Sequence, residues 1–416
     1  MNSSISLSFL PAQLPLNINK LYVAFSGGID STVLMHVLLP YKQQFQVVLW
    51  HINHGLQQNA QTMEDFARSQ ADQFGFEFCL DRLKMDPSEG NLEAKARDHR
   101  YQLFEQALTE NDVLLTAHHK NDQAETLLLN LMRGSGAAGL RAIARLKPLG
   151  KGLLMRPLID FTRLQIEQYA AHHKLDWKED PSNKKTDFDR NYVRHKVLPV
   201  LLERWPSTIS QLQRVSELQN ESEQLHSDLA KIDYINAKIN RSFTEYSCLS
   251  VKVLHSLSFA RQKNIIRYWI KQHSFPVLGF HKIEELVRQL NSRIDALPII
   301  EGKSYQVRLY KQVLYIVDLV DQFRVEASYK VPDCGPLNIP QVHFCQSRID
   351  IFDNLKRQDN GENILLKFRQ SSQHGITFPH AHTLKRLFQK HQVPPWKRPF
   401  IPQVFLNDEL AGLWIE

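Results

Sequence analysis

The first two hundred residues alternate between short apolar runs and longer stretches in which apolar residues recur at helical spacing. Runs of this length suit parallel strands that are buried on both faces, and the stretches between them suit helices that cover a sheet. The expected strands are residues 21–25, 46–52, 76–80 and 113–117. The expected helices are residues 32–39, 62–74, 92–108 and 122–133. This order predicts an α/β fold with a doubly wound parallel sheet, which binds ligands at the carboxyl ends of its strands.

The pattern changes after Lys196. Leu, Gln, Glu and Ser recur at helical spacing over residues 197–233, and two more helices are expected at 259–273 and 281–290. From about Tyr305 short β-type runs appear, at 306–310 and 313–317, and proline-bearing turns come later. We therefore expect a small α+β module at the end of the chain. The predicted domains are residues 1–210, a mainly helical part at 211–320, and an α+β part at 321–416.

Length and composition fit a protein of several domains without a membrane partner. The chain has 416 residues, a length greater than one hydrophobic core usually serves, and 43% of its residues are apolar. It contains no apolar stretch long enough for a membrane span, and residues 1–20 lack the features of a signal peptide, so we expect a cytoplasmic protein. The four cysteines form no Cys-x-x-Cys pair, which indicates reduced thiols.

The net charge favours a polyanionic partner. Lys and Arg number 51 against 44 Asp and Glu, giving a net charge of +7 and a pI near 9.1. An excess of this sign suits nucleic acid through counterion release, although many basic proteins bind none.

The most informative segment is a loop between the first strand and the first helix. It consists of Ser26, Gly27, Gly28, Ile29, Asp30, Ser31 and Thr32. Two adjacent glycines let the backbone turn tightly and direct several N–H groups at one point, and the helix start adds partial positive charge. The segment lacks the lysine of a Walker A loop and the spacing of Gly-x-Gly-x-x-Gly. We interpret it as a pyrophosphate site, with Asp30 as the Mg²⁺ ligand; the alternative is an ordinary glycine turn.

Two further groups of polar residues follow strand ends. His51 and His54 stand at the end of the second strand, either beside the loop or as a polar strand end. His118, Asp122 and Glu125 follow the fourth strand at spacings of four and three residues, which places them on one helix face. Such a face could bind magnesium or move protons, and the alternative is a solvated helix start.

These motifs together resemble a known family. The loop resembles those of the PP-loop ATP pyrophosphatases, which cleave ATP between the α- and β-phosphates. With the His118 to Thr126 motif, the chain closely resembles the tRNA(Ile)-lysidine synthetases. Further agreement lies in residues 131–140, 155–158, 177–183 and 188–195, and near the end in 366–369, 384–388 and 393–398. One departure is Asn121, where many members have aspartate; any metal-binding role of that residue would pass to Asp122 or Asp30.

The resemblance implies a two-step reaction. The carbonyl oxygen of the wobble cytidine in an isoleucine tRNA with a CAU anticodon attacks the α-phosphate of ATP, and the ε-amine of free L-lysine then displaces AMP. ATP and Mg²⁺ are the implied cofactors. The implied catalytic residues are Asp30, His118, Asp122, Glu125 and Arg190. ATP would be bound by residues 26–32 and His54, with Arg190 neutralising the α-phosphate or, alternatively, lying on the surface.

Basic residues in two regions are candidate tRNA contacts. The first group lies beside the expected site and comprises Arg133, Lys184, Lys185 and Arg194. The second group comprises Lys385, Arg386, Lys397 and Arg398. It lies in the last fifty residues, which contain seven Lys or Arg and only three Asp or Glu. Phe388 and Trp396 are either stacking surfaces for RNA or, as we favour, core residues.

Three alternative functions remain open from the sequence. A tRNA-thiolating PP-loop enzyme would need a catalytic cysteine or cysteine pair. A small-molecule amidating ligase would leave the basic C-terminal module unexplained. A noncatalytic RNA-binding protein would not need Asp30 or the His118 motif. The sequence also leaves the oligomeric state open, a homodimer included.

Overall fold

The structure is a computed structural model with two compact units, Met1–Gln224 and Leu225–Glu416. It describes residues 5–53, 55, 60–83, 92–179, 186–241, 244–290, 297–319, 328–330, 364–367, 381–406 and 409–413.

The N-terminal unit is built on a six-stranded sheet. Its strands are β1 (Leu21–Ala24), β2 (Val47–Asn53), β3 (Glu77–Arg82), β4 (Val113–Leu115), β5 (Leu146–Leu149) and β6 (Gly152–Met155). They lie in the order β3-β2-β1-β4-β6-β5, and all neighbouring pairs are parallel except β5 with β6. The predicted α/β fold with a parallel sheet is confirmed.

Helices lie before, between and after these strands. They are α1 (Leu10–Gln13), α2 (Ile29–Val37), α3 (Ala60–Phe74), α4 (Leu92–Ala107), α5 (Lys120–Met132), α6 (Ala137–Leu140), α7 (Arg163–His172), α8 (Asp189–Tyr192), α9 (Leu198–Arg204) and α10 (Thr208–Ala237). A π-helical turn, Val193–Val197, joins α8 to α9. Buried apolar residues pack on both faces of the sheet: Val23 and Leu34 belong to one core, and Trp50, Phe104 and Leu154 to the other. Burial on both faces explains why the central strands β1, β4 and β6 carry no charged residue.

The strand order places the functional motifs together. The chain runs from β1 outward to β2 and β3, then returns to β4 on the other side of β1. The carboxyl ends of β1 and β4 therefore flank the point where the winding direction reverses, which is where open α/β sheets bind ligands. The glycine loop follows β1, and the His118 motif follows β4.

The C-terminal unit contains two antiparallel sheets. The first has the order β7-β8-β11-β10-β9, and the second β12-β13-β14-β15. Their strands are β7 (Lys238–Ile239), β8 (Cys248–Ser250), β9 (Ile299–Glu301), β10 (Tyr305–Tyr310), β11 (Val313–Asp318), β12 (Ser328–Lys330), β13 (Ile364–Lys367), β14 (Gln403–Leu406) and β15 (Glu409–Leu413). The helices of this unit are α11 (Val251–His255), α12 (Phe259–Gln272), α13 (Phe280–Gln289) and α14 (Ala381–Lys390).

The β-type runs after Tyr305 do not open a third module. Strands β10 and β11 share one core with the helices α12 and α13, in which Trp269, Tyr305 and Leu314 are fully buried. Helical periodicity in 259–290 was visible in the sequence, but the pairing of β11 with β8 connects residues about 65 positions apart. The helical part is therefore completed by a sheet.

The aromatic residues near the chain end pack rather than project. Phe388 is 1% exposed and lies in a small core with Val393 and Ile401. Trp396 is half-buried, and its ring contacts Tyr310 and Tyr315 edge-on, with centroids 6.0 and 5.8 Å away. The core interpretation of both residues agrees with this packing.

Candidate functional site

The glycine loop has the geometry that its sequence predicts. Gly27 has φ +80°, a region that L side chains rarely adopt, and a Cβ there would stand 3.2 Å from the Phe66 ring. Gly28 caps α2. Its N–H donates to Ser26 Oγ at 3.3 Å, while Ser31 Oγ donates to its carbonyl at 2.9 Å. These bonds hold the loop in shape at the helix N-terminus, where an anion is favoured.

Two buried polar residues lie beside and within this loop. His51 is 4% exposed, and its Nδ1–H donates to the carbonyl of Phe25, the residue before the loop, at 2.9 Å. Burial lowers the pKa of His51, so its ring is neutral and positions the strand end. Thr32 is fully buried, and its hydroxyl has no hydrogen-bond partner among the described residues.

Asp30, in the first turn of α2, contacts an arginine that the sequence did not single out. Nη1 of Arg163 lies 2.8 Å from Oδ1 and 2.6 Å from Oδ2 of Asp30, and Nε of Arg163 donates to Glu167 at 2.8 Å. Burial raises the pKa of Asp30, and the neighbouring His119 and Arg163 oppose that shift only in part. The Asp30 side chain remains 30% exposed, so a ligand could reach it.

His119 links the glycine loop to α5. Its Nδ1 accepts the N–H of Asn121 at 3.2 Å, which leaves the proton of a neutral ring on Nε2. Nε2 lies 3.6 Å from Asp30 Oδ1 and 3.5 Å from Asp122 Oδ2. Sequence reasoning missed His119 as a site residue, although its position immediately before a helix was a signal for a capping side chain.

Four charged residues form a cluster beside His119. Asp122 and Glu125 project from α5, as their spacing predicts, and contact two arginines. Arg190 donates to Asp122 at 2.7 Å and to Glu125 at 2.8 Å; Arg194 donates to Glu125 at 2.6 and 2.9 Å and to Asp122 at 3.2 Å. Burial alone would raise the pKa of Asp122, but His119 and Arg190 outweigh it and the net pKa is lowered.

His118 lies at the edge of this cluster. Its Nδ1 is 2.9 Å from the hydroxyl of Thr116. Burial, together with the charges of Arg156 and Arg190, lowers the pKa of His118 to about 3, against the opposing effect of Asp122. The ring is therefore neutral across the physiological range.

The departure at Asn121 has a structural role. Its Oδ1 accepts the N–H of Arg163 at 3.0 Å, so it joins the start of α5 to the start of α7. Among the residues that the structure describes, no group of three or more His, Cys, Asp or Glu side chains is arranged to hold a metal ion. Asp30 alone at the loop could still supply one carboxylate, which is typical of Mg²⁺ bound mainly by substrate phosphates.

The predicted tRNA contacts have different environments. Arg133 is exposed at the end of α5, 3.8 Å from Asp189. Lys385 and Arg386 are exposed on α14, whereas Lys397 is half-buried. Arg398 donates to the Val393 carbonyl at 3.2 Å and to the Tyr310 hydroxyl at 3.3 Å, which ties it into the fold. His54, Lys184 and Lys185 lie outside the described residues.

Comparison with known proteins agrees with this geometry. The PP-loop domain family matches residues 1–201, the TilS substrate binding domain matches 249–315, and the TilS substrate C-terminal domain matches 366–415. The tRNA(Ile)-lysidine synthase of Legionella pneumophila (strain Lens) is 33% identical over 94% of this chain and 90% of its own length. That of Serratia proteamaculans is 34% identical over 99% of this chain and 94% of its own. The chain belongs to the tRNA(Ile)-lysidine synthase family.

Membership in this family confirms the resemblance drawn from the motifs. Among solved structures, a U34-tRNA thiolase from Methanococcus maripaludis is 20% identical, with a TM-score of 0.43 over 50% of this chain and 73% of its own. Within the described part of the chain, none of the helices is both long and apolar enough to cross a bilayer.

Proposed function

We propose that this chain joins free L-lysine to the wobble cytidine of an isoleucine tRNA with a CAU anticodon, consuming ATP and releasing AMP and pyrophosphate. This would make it a ligase that forms a carbon–nitrogen bond in the cytoplasm. The observation that carries the proposal is the position of His119 between Asp30 of the glycine loop and Asp122 of the charged cluster on α5, in a chain of this family.

The first step is adenylation. The carbonyl oxygen of cytosine attacks the α-phosphorus of ATP, and the bond to the β-phosphate breaks as pyrophosphate leaves. The amides of Gly27 and Gly28 and the start of α2 are suited to stabilise the departing charge. Arg163, which donates to the Asp30 carboxylate, adds a positive charge beside the same loop. Arg190, a planar donor in the neighbouring cluster, is our candidate for neutralising the α-phosphate.

Asp30 is the proposed Mg²⁺ ligand. Mg²⁺ usually takes one or two carboxylates together with substrate phosphates, and the partly exposed Asp30 fits that requirement once Arg163 moves away. The ion would add positive charge next to the leaving pyrophosphate.

In the second step the ε-amine attacks the carbon that carries the adenylated oxygen, AMP leaves with that oxygen, and the amine loses a proton. Free lysine has a side-chain pKa near about 10.4, so the site must accept that proton. His118, Asp122 and Glu125 are the candidates. Both carboxylates already bind arginines, and His118, although neutral, is a weak base because burial lowers its pKa to about 3. Asp122 and Glu125 are suited to attract the ammonium.

The described cysteines give no support to a sulfur-transfer reaction. Burial raises the pKa of Cys79, and burial raises that of Cys248 to about 11, so neither has the character of a reactive thiolate. Cys334 and Cys345 lie outside the described residues.

The deciding experiment incubates the purified full chain with labelled lysine, ATP and a transcript of the isoleucine tRNA with a CAU anticodon. We expect one lysine per tRNA at the anticodon cytidine, with one AMP and one pyrophosphate released. The control RNA is a methionine tRNA, which carries the same anticodon. Lysine incorporation without ATP, or AMP release without incorporation, would contradict the proposal.

A further inference from the structure

A lysine from a distant part of the sequence lies against the glycine loop. The N–H of Lys178 donates to the carbonyl of Gly27 at 2.9 Å, so the segment that follows α7 is held beside the first glycine of the loop. A Cβ on Gly28 would come within 4.0 Å of the Lys178 carbonyl. Because these contacts use only the backbone of Lys178, they persist whatever side chain stands at that position. The side chain itself is exposed.

The side chain of Lys178 extends over the Phe66 ring of α3. Its Nζ lies 5.6 Å from the centre of that ring. The same ring approaches the loop, since a Cβ on Gly27 would stand 3.2 Å from it. The ammonium group is therefore held next to the loop by a ring that itself adjoins the loop. A cation over an aromatic ring is held only weakly at an exposed site, so a stronger acceptor can draw the ammonium away.

Lys178 differs from the other cation at the loop in having no counter-charge. Among the described residues, no carboxylate lies within ion-pair distance of its Nζ. Arg163 already binds two carboxylates, those of Asp30 and Glu167. The hydroxyl and amide groups of the loop are neutral donors. Lys178 is therefore the cation that remains available to balance the charge of an anion bound at the loop.

We propose that Lys178 binds the β- and γ-phosphates of ATP and remains with the pyrophosphate as it leaves. This inference rests on the proposed function and adds a residue to its first step. A Walker A loop supplies a lysine for this purpose from its own sequence, and the glycine loop here lacks one. Lysine carries a compact charge on a flexible four-carbon stem, so Nζ can move from the Phe66 ring to a phosphate that the loop amides hold.

The contact stabilises the leaving group without proton transfer. As the bond between the α-phosphorus and its bridging oxygen breaks, the electron pair goes to that oxygen and negative charge grows on the pyrophosphate. Nζ stays protonated and donates hydrogen bonds to the pyrophosphate oxygens, which strengthen as their charge increases. Lys178 is therefore expected to affect ligands that carry the β-phosphate and to leave AMP unaffected.

The test measures the binding of ATP, pyrophosphate and AMP to the full chain by titration calorimetry in the presence of Mg²⁺. Lys178→Gln should weaken the binding of ATP and of pyrophosphate by about 10- to 100-fold, the loss expected for one hydrogen bond between charged groups. Its affinity for AMP should not change. Lys178→Arg keeps the charge and should retain more of the pyrophosphate affinity than Lys178→Gln. Both variants should fold, because the side chain is exposed.

Lys42→Gln is the matched control. Its Nζ also lies over a phenyl ring, 4.7 Å from the centre of Phe76, but that ring precedes β3 at the opposite edge of the sheet. All three affinities should be unaltered in this variant.

Equal pyrophosphate affinity in Lys178→Gln and the unmodified chain overturns the inference. So does an equal loss of affinity for ATP, pyrophosphate and AMP, which would indicate general damage to the site. Weaker tRNA binding with unchanged pyrophosphate affinity would assign Lys178 to RNA phosphate and also overturn it. If Lys178→Gln loses pyrophosphate affinity as expected, but the unmodified chain transfers no lysine to tRNA, the proposed function fails and the phosphate contact stands.

Discussion

One guanidinium nitrogen of Arg163 contacts both carboxylate oxygens of Asp30, at 2.8 and 2.6 Å. The arginine thereby occupies the side of Asp30 that Mg²⁺ would need. Since the two residues are 133 positions apart in the sequence, the contact depends on the start of α7 lying beside the start of α2.

Replacing Arg163 should change how the protein responds to magnesium. In Arg163→Met the Asp30 carboxylate has lost its cation, so we expect half-maximal activity at a severalfold lower Mg²⁺ concentration and weaker binding of ATP without Mg²⁺. An activity assay over a series of Mg²⁺ concentrations measures the first effect, and titration calorimetry with ATP in the absence of the metal measures the second. Glu167→Gln is the control, because it removes the other partner of Arg163 and leaves the Asp30 contact. Identical Mg²⁺ dependence in Arg163→Met and the unmodified chain would contradict this prediction.

Asp30→Ala should separate chemistry from RNA binding. We expect it to abolish tRNA-dependent release of AMP and pyrophosphate, because the variant lacks the carboxylate of the glycine loop. The affinity for tRNA should stay within about twofold, since Asp30 is far too small a part of an RNA interface to dominate it. Filter binding and a pyrophosphate assay provide the two readouts. AMP formation by this variant at the normal rate would refute the assignment of Asp30.

The pH dependence of lysine transfer tests the state of His118. Its pKa is lowered to about 3, so the ring stays neutral from pH 5 to pH 8 and should contribute no change in rate over that range. His118→Asn should therefore lower the single-turnover rate by the same factor at pH 5.5 and pH 7.5. A rate change centred near the ordinary histidine pKa of about 6.5 that vanishes in the variant would show that burial does not act as described.

The sequence predicted several strands and helices well, but it did not predict which charged side chains contact each other. Strands β1, β2 and β4 lie within two residues of their predicted bounds, because buried parallel strands are mainly apolar. The face formed by Asp122 and Glu125 also followed from helical spacing. Arg163 and His119 were missed because their roles depend on contacts between separate elements, which no local pattern contains. The predicted domain bounds remain a prediction.

Glu125 should be important for stability as well as for function. Its carboxylate is 1% exposed and accepts hydrogen bonds from both Arg190 and Arg194. Glu125→Gln leaves two guanidinium groups short of an acceptor, and we expect a loss of about 1–3 kcal/mol. This is below the roughly 3–5 kcal/mol of fully buried pairs, because the arginines are about a third exposed.

Urea unfolding of the full chain measures this loss, with Asp160→Asn as its control. Asp160 pairs with Arg145 but is 46% exposed, so its replacement should change the free energy of unfolding by less than about 1 kcal/mol. Equal losses in the two variants would indicate that the Glu125 pairs are worth no more than surface ion pairs.

The C-terminal module should contribute to tRNA binding through its exposed cations. Removal of residues 321–416 is expected to weaken tRNA binding and to reduce its salt dependence. The same deletion would expose Tyr310 and Tyr315, on which Trp396 packs, and so could also lower stability. Point variants on α14 avoid this. Lys385 and Arg386 are both exposed there, so the double change to Gln removes two charges without disturbing a core.

Each lost phosphate contact reduces the slope of log K against log salt by roughly 0.7–0.9, so the Lys385 and Arg386 double variant should lower that slope by about 1–2. Gln389→Ala on the same helix removes no charge and should leave the slope unchanged. Arg398 offers a contrast within the same module. Because its guanidinium already binds Val393 and Tyr310, Arg398→Gln should reduce thermal stability more than the salt slope. An unaltered slope and affinity in the double variant at physiological salt would show that these two cations do not contact RNA.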